Sequence, residues 1–201
     1  MSNGITRISL DIEGTGPAAG LNSMISLGAA AFGEHGEELG TWTANFKELP
    51  GAARDPDTMA WWATRQEAWA AATANAQDPA QATKDFVAWV QALPGSKKVA
   101  GAWPASYDYA YVSYYCWAFT GGNPLGHACL DIKSLAMGAL RKGGKKSERE
   151  KQIEAMLEVA NGDEHVAVAD ALRQGRAWMM VLREMGELDA PVEEVDSVAA
   201  L

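Results

Sequence analysis

The stretch Ile8-Ser9-Leu10-Asp11-Ile12-Glu13-Gly14-Thr15-Gly16 is the part of the sequence around which the rest of the chain is organised. Residues 8–12 predict a short apolar strand, and the glycines that follow predict an abrupt turn at its carboxyl end. Asp11 and Glu13 are two residues apart, so both carboxylates project to the same face of an extended strand. Neighbouring carboxylates repel each other unless a cation lies between them, and a divalent metal ion is the usual one. Taken alone, the pattern is more often a solvated strand end than a site, so the remaining chain has to decide.

The composition indicates an ordinary globular protein with one sizeable core. Of the 201 residues, 48% are hydrophobic and 21% are charged, and we expect a single domain over residues 1–188. The net charge of −9 argues against broad, sequence-independent adhesion to nucleic acid or to anionic membranes. It does not exclude an enzyme that meets phosphate groups through bound metal ions.

Cysteine usage and the lack of long apolar runs bear on the compartment. Cys116 and Cys129 show no Cys-x-x-Cys spacing, which predicts a reducing environment and no disulfide framework. The sequence shows no signal-peptide pattern and no apolar run approaching the roughly 20 residues of a membrane span. We therefore expect a cytoplasmic protein without membrane contact.

The order of strand and helix patterns predicts an α/β fold. Strands at residues 8–12, 24–32 and 41–46 come first, and the short connection at 33–36 predicts an antiparallel meander. A helix capped by Asp57 or Thr58 and extending to about residue 76 is followed by a second helix that begins at Asp78 and Pro79. The remaining pattern predicts strands and helices that complete a mixed sheet with helices on its faces: strands at 99–103 and 128–132, and helices at 107–119, 133–140 and 166–185.

Two segments differ in composition from the rest of the chain. Residues 141–151 are basic and contain glycine, so they predict either a guide for a nucleic-acid backbone or an ordinary solvated loop. This segment is expected to run into a helix through Ile153, Met156 and Leu157. Residues 189–201 are acidic and rich in small side chains, and we expect a loosely ordered tail.

Acidic residues recur at three separated places near predicted strand ends or helix starts. Besides the first pair, Asp108 follows the strand at 99–103, and Asp170 lies in the last helix, four residues beyond His165. Such a set of carboxylates can hold two divalent cations that stabilise the attacking and leaving oxygens of a phosphoryl displacement. An imidazole near its neutral pKa can accept the proton of the attacking water. All-oxygen ligands favour Mg²⁺ or Mn²⁺ over Zn²⁺.

With these motifs in this order, the sequence resembles the DEDDh group of 3′→5′ exonucleases, which share a ribonuclease H-like fold. The motifs match at residues 9–16, at 99–108 with an aromatic residue directly before the aspartate, and at 165–171. Residues 58–62 and the following Gln66 are similar to a small subfamily of phage exodeoxyribonucleases and mycobacterial exoribonucleases. The resemblance covers about residues 5–185 and implies a mixed sheet in which three antiparallel strands are followed by parallel strands.

The resemblance also implies the roles of individual residues. The ligands of two Mg²⁺ or Mn²⁺ ions would be the four acidic residues Asp11, Glu13, Asp108 and Asp170. His165 would be the general base. Gly14 and Thr15 would lie against the 3′-terminal nucleotide, where a glycine lets the backbone approach closely.

Aromatic residues supply further candidate contacts with a nucleic acid. Trp61 and Trp62 are adjacent on a predicted helix, so one should face the core and the other a groove or a partner. Stacking on a base is one role for Trp61, Trp62 and Tyr107. The alternative is packing in the core or in a dimer for the two tryptophans, and packing of the helix against the sheet for Tyr107.

The sequence therefore predicts a metal-dependent 3′→5′ exonuclease that releases nucleoside 5′-monophosphates from single-stranded nucleic acid with a free 3′ end. The alternatives are a non-catalytic module that grips a 3′ end and a dinucleotide phosphodiesterase. The sequence leaves the choice between DNA and RNA open, because no residue can be tied to a 2′-hydroxyl contact. Spare tryptophans and the family resemblance favour a homodimer.

Overall fold

Three antiparallel strands form one half of the sheet. The computed structural model describes residues 4–139 and 166–188, together with Lys151 and Ala155. Strands β1 (Ile5–Gly14), β2 (Met24–Phe32) and β3 (Glu38–Asn45) form the predicted meander, and β2 has the predicted bounds. Both neighbours pair with β2 along its length and all nine of its residues are buried, which explains its continuous run of small and apolar side chains.

Two parallel strands complete the sheet on the other side of β1. Strand β4 (Lys97–Ala102) pairs with β1, and the short β5 (Cys129–Asp131) pairs with β4. The order is β3-β2-β1-β4-β5, so β1 is central and its carboxyl end lies beside that of β4. The predicted α/β class with a mixed sheet is confirmed.

The predicted first helix is two helices. Helix α1 (Pro56–Ala63) begins after Asp55, whose side chain accepts a hydrogen bond from Thr58 N at 2.8 Å, so the predicted caps Asp57 and Thr58 are wrong. Helix α1 ends when the amides of residues 64 and 65 bond to carbonyls only three residues back, and Arg65 leaves the helical conformation at φ −134°. Helix α2 (Gln66–Thr73) then begins at the next residue.

The remaining helices follow the prediction closely. Helix α3 (Pro79–Ala92) is capped by Asp78, and α4 (Ala105–Thr120) ends at Gly121 in the left-handed conformation. Helices α5 (Ile132–Ala139) and α6 (Ala167–Glu184) come next in the described residues. The predictions for residues 140–150, for Ile153, Met156 and Leu157, and for the tail 189–201 lie outside the described residues, although Lys151 and Ala155 are helical.

The two faces of β1 carry different side chains. Ile8, Leu10 and Ile12 pack into the larger hydrophobic core with α3 and α4. The alternate positions, including Asp11, lie on the opposite face, where α6 crosses the sheet. This alternation places the first acidic pair between the sheet and α6.

Glycines let α6 approach the sheet closely. A Cβ on Gly28 of β2 would lie 2.2 Å from backbone atoms of Ala167 and Val168, and a Cβ on Gly175 would lie 2.2 Å from the ring of Phe32. The first turn of α6 therefore rests directly on β2. Among the described residues, no helix is long and apolar enough to cross a membrane.

Candidate active site

Three carboxylates converge at the carboxyl end of β1. Asp11 and Glu13 come from β1, and Asp170 comes from the first turn of α6. One carboxylate oxygen from each residue lies within 4.8 Å of the other two. Such a set of oxygen ligands is the kind that Mg²⁺ or Mn²⁺ prefers.

Asp108 lies next to this group, at the start of α4. Its Oδ1 accepts a hydrogen bond from Ile12 N at 3.3 Å, which places the carboxylate beside the backbone between Asp11 and Glu13. The side chain is buried, and its Oδ2 has no hydrogen-bond partner within the described part of the chain. Asp108 is not part of the 4.8 Å group of three, but one of its oxygens is available to a cation.

The carboxylates strongly disfavour one another's ionisation. Burial, followed by the charges of Asp108, Asp170 and Glu13, raises the pKa of Asp11 well above its ordinary value. Burial and the charges of Asp170 and Asp108 raise the pKa of Glu13 to about 8. The pKa of Asp108 rises to about 7, chiefly through burial. A divalent cation would relieve this repulsion, so the residues present fit a metal ion chemically.

Two residues of α6 that the sequence did not single out bind these carboxylates. The guanidinium of Arg173 forms an ion pair with Asp170 Oδ1, and Gln174 Nε2 donates a hydrogen bond to Asp11 Oδ1 at 2.8 Å. They are three and four residues beyond Asp170, so they lie on the helix face that it occupies. That spacing is the sequence signal that could have identified them.

A cavity of about 430 Å³ opens beside the carboxylates. The lining residues are Glu13, Gly14, Asp57, Thr58, Trp61, Trp62 and Tyr107. Four of them are predicted substrate contacts, with Thr15 the fifth prediction. Asp57 and Thr58 of α1 were not identified as site residues from the sequence. Aromatic walls next to a carboxylate group suit a nucleotide, whose base stacks while its phosphate lies near the acidic side.

The tryptophan pair divides as predicted between the core and the groove. Trp62 is buried, and its Nε1 donates to the carbonyl of Gly14 at 3.0 Å, so it fixes the turn after β1. Trp61 is partly exposed and packs edge-on against Trp62. A Cβ on Gly14 would lie 2.8 Å from the hydroxyl of Tyr107, which explains the glycine at this wall of the cavity.

Thr15 does not line the cavity. It is fully buried, and its hydroxyl accepts a hydrogen bond from Ser23 N at 2.9 Å. Its backbone carbonyl accepts from Asp55 N at 2.8 Å, which connects the turn to the start of α1. The side chain therefore stabilises the turn that follows β1, next to Gly14 of the cavity wall.

A second, wider cleft of about 890 Å³ adjoins the first along α1 and α2. Arg65 and Gln66 line it on one side, and Val166, the residue directly before α6, lines it on the other. The guanidinium of Arg65 lies over the ring of Trp61, 4.1 Å from its centroid. Arg65, which lines the wider cleft, therefore contacts Trp61, which lines the smaller cavity. His165, the predicted general base, lies outside the described residues.

The family comparison covers nearly the whole chain. The model of a family described as the 3′-5′ exoribonuclease Rv2179c-like domain matches residues 6–182. A relative, the 3′-5′ DNA exonuclease Cap18 of Escherichia coli, is 26% identical over 188 residues, which are 90% of this chain and 95% of that protein.

Solved structures share the fold at low sequence identity. Pop2p of S. pombe, in a form with Mg²⁺ and Mn²⁺ bound, has a TM-score of 0.61 and 18% identity, over 88% of this chain and 82% of that one. The nuclease domain of 3′hExo, a DEDDh family member bound to rAMP, has a TM-score of 0.62 and 14% identity, over 93% and 95% of the two chains. The ribonuclease H-like fold that the sequence predicts is thereby confirmed.

Proposed function

The chain belongs to the family of Rv2179c-like 3′-5′ exoribonuclease domains, and from this membership we propose that it shortens single-stranded nucleic acid from the 3′ end by a two-metal mechanism. It is a hydrolytic 3′-5′ exonuclease of the DEDDh type. The proposal adds the ions, the general base and the form of the substrate to this assignment.

The observation that supports the proposal most directly is the convergence of Asp11, Glu13 and Asp170 beside an aromatic cavity. With Asp108, they would hold two Mg²⁺ or Mn²⁺ ions, which supply charge stabilisation for the attacking and leaving oxygens. Pop2p, which shares the fold, binds the same two kinds of ion.

The terminal nucleotide would occupy the cavity of about 430 Å³. Its base would stack on Trp61, while Tyr107 and the backbone of Gly14 form the wall beside the sugar. Trp62 would act through its hydrogen bond to Gly14, since its own ring is buried. This arrangement positions the last phosphodiester next to the carboxylates.

The reaction is hydrolysis at the last phosphodiester. His165 would accept a proton from the water whose oxygen bonds to the phosphorus, and the P–O3′ bond breaks. The leaving oxygen takes up a proton and becomes the new 3′-hydroxyl, and a nucleoside 5′-monophosphate is released.

Matched DNA and RNA oligonucleotides with a 5′ label test the proposal in Mg²⁺ and in Mn²⁺. The wild type should produce a ladder that shortens from the 3′ end, and Asp11→Ala should abolish it. Asp85→Ala, on the exposed face of α3, is the control and should retain full activity. An inactive wild type, or an active Asp11→Ala, would refute the assignment of the site.

Two rival functions predict different products. A non-catalytic 3′-end-binding module would bind the oligonucleotide without turnover in any metal, and a dinucleotide phosphodiesterase would cleave dimers in preference to longer strands. The wide cleft that Arg65 and Gln66 line favours a longer strand, because a dinucleotide in the smaller cavity would leave it empty. The matching family is described as exoribonucleases, whereas the relative Cap18 is described as a DNA exonuclease. The assay therefore includes both RNA and DNA oligonucleotides.

Three broader expectations complete the proposal. We place the protein in the cytoplasm, a compartment in which Cys116 and Cys129 would stay reduced, and both are free thiols in the structure. We also propose a homodimer, which light scattering on the purified protein checks. A single domain that ends near residue 188 is the third expectation, and limited proteolysis checks it.

A further inference from the structure

Gln174 is a buried polar side chain in direct contact with the carboxylate cluster. It lies on α6, four residues beyond Asp170, and only 6% of its surface is exposed. Its Nε2 donates to Asp11 Oδ1 at 2.8 Å. The hydrogen bond joins α6 to β1 at the level of the cluster.

This hydrogen bond fixes the orientation of both groups. An ionised carboxylate only accepts hydrogen bonds, so the amide must present its N–H side to Asp11 and turn its carbonyl away. Because Oδ1 is held by Gln174, Asp11 keeps its other oxygen for a cation. Arg173, the preceding residue, forms an ion pair with Oδ1 of Asp170 in a comparable way.

The carbonyl oxygen of the Gln174 side chain lacks the hydrogen bond that a purely structural glutamine would have. Its Oε1 is buried and has no hydrogen-bond partner among the residues that the structure describes. A glutamine kept for packing would normally have both ends bonded, since an unbonded buried carbonyl is destabilising. A buried acceptor next to a cation site is suited to a water molecule that hydrates the cation.

Other side chains of similar size would not serve at this position. A carboxylate would place one more negative charge against Asp11, and a methionine would leave Asp11 Oδ1 without a donor. The neutral amide supplies the donor without adding charge to a cluster in which the ionised groups already oppose one another.

We propose that Gln174 is a positioning residue of the metal site: it holds Asp11 in the geometry that binds the cation and thereby sets the affinity for Mg²⁺ or Mn²⁺. The inference rests on the proposed function of the cluster. Loss of such an indirect contact typically weakens metal binding about 10–100-fold.

The test compares Gln174→Met with a matched variant elsewhere. Methionine has nearly the same length and volume but no donor. Gln81 on α3 donates through Nε2 to Asp85 Oδ1 at 2.9 Å on an exposed surface, so Gln81→Met removes the same kind of contact away from the site. Mn²⁺ binding is measured by electron paramagnetic resonance and by calorimetry without nucleic acid.

We expect Gln174→Met to bind Mn²⁺ about 10–100-fold more weakly, and Gln81→Met to bind it as the wild type does. In the nuclease assay, the half-saturating Mn²⁺ concentration should rise by the same factor. At saturating Mn²⁺, both the KM for the oligonucleotide and kcat should return towards the wild-type values. A merely structural role would lower activity without moving the metal dependence.

A folded Gln174→Met protein whose Mn²⁺ affinity is within twofold of wild type would overturn the inference. If Gln174→Met fails to fold, Gln174→Asn replaces it, because the shorter amide cannot reach Asp11 and the same weakening is expected. Failure of the proposed function looks different: the wild type would then bind Mn²⁺ in a Gln174-dependent manner and degrade no strand. A wild type that binds no Mn²⁺ would remove the metal site and the inference with it.

Discussion

A methyl group added at Gly28 should displace α6 and its carboxylate. An alanine Cβ at this position would lie 2.2 Å from the carbonyl carbon and oxygen of Ala167 and from Val168 N, where the tightest ordinary contacts are about 3.4 Å. These are backbone atoms, so no side-chain rotation relieves the overlap. The first turn of α6 has to move away from β2 by about 1.2 Å.

The displacement bears directly on the site, because Asp170 lies in the same turn of α6. A misplacement of about 1 Å at a catalytic group costs on the order of 100-fold in rate. Overpacking of this kind also lowers the free energy of unfolding by about 1–3 kcal/mol. We therefore expect Gly28→Ala to stay folded with a lower melting temperature and to lose about 100-fold in kcat.

Gly138→Ala is the matched control. Gly138 lies in α5, and a Cβ added there would have no neighbour within 4 Å among the residues that the structure describes. Alanine at this helical position should raise the free energy of unfolding by about 0.5–1 kcal/mol. Circular dichroism and thermal melts establish folding, and single-turnover cleavage of a labelled oligonucleotide gives the rate. If Gly28→Ala is folded and cleaves within twofold of the wild-type rate, the idea that this contact positions Asp170 is wrong.

Three further changes probe the turn, the charges and the wider cleft. Trp62→Phe leaves the buried carbonyl of Gly14 without the hydrogen bond from Trp62 Nε1. We therefore expect the free energy of unfolding, measured by heat or urea, to fall by about 1–3 kcal/mol and the KM for the oligonucleotide to rise. An unchanged stability would contradict this. The metal-free protein should become less stable as the pH rises from about 4.5 to about 8, because the raised pKa of Glu13 makes the folded state bind more protons than the unfolded state over that range. Thermal melts in EDTA over this pH range check the prediction, and a melting temperature that rises with pH would contradict it. Added Mg²⁺ should raise the melting temperature most near pH 8. Arg65→Ala should slow cleavage of a decanucleotide about tenfold and leave cleavage of a dinucleotide unaffected, because loss of one charged hydrogen bond to the strand costs roughly 1.5 kcal/mol. Arg54→Ala is the control, since it removes a similar guanidinium that lies over Trp69. Equal effects of the two variants would contradict a strand in the cleft.

The sequence predicted most reliably where local pattern and tertiary environment agree. Strand β2 was bounded correctly because its small, apolar residues are buried on both faces and are followed by a turn at Gly33. The pair Asp11 and Glu13 could be placed on one face from spacing alone. Asp108 and Asp170 were singled out by their positions near a strand end and in a helix, and the resemblance to a family then implied that they share one site with the first pair.

The break between α1 and α2 could not be predicted, because no glycine or proline separates Ala63 from Gln66. Its cause is tertiary: Trp62 is bonded to the turn after β1, while Arg65 lies against Trp61. Gln174 escaped prediction for a related reason. Its contact with β1 depends on how close α6 comes to the sheet, which depends on Gly28 of β2 as well as on Gly175 of α6 itself.

The charges of the cluster give a physical reason for the metal dependence that we propose. Four carboxylates meet at the end of β1, and Arg173 contributes one positive charge to them by its ion pair with Asp170. Burial denies them water, so protons occupy part of the cluster at neutral pH, as the raised pKa values of Glu13 and Asp108 indicate. Among the charges that the structure describes, two divalent cations would displace those protons and balance all four carboxylates. The positive charge of Arg173 would then offset the single negative charge of a phosphodiester. Binding of the substrate and binding of the ions should therefore strengthen each other.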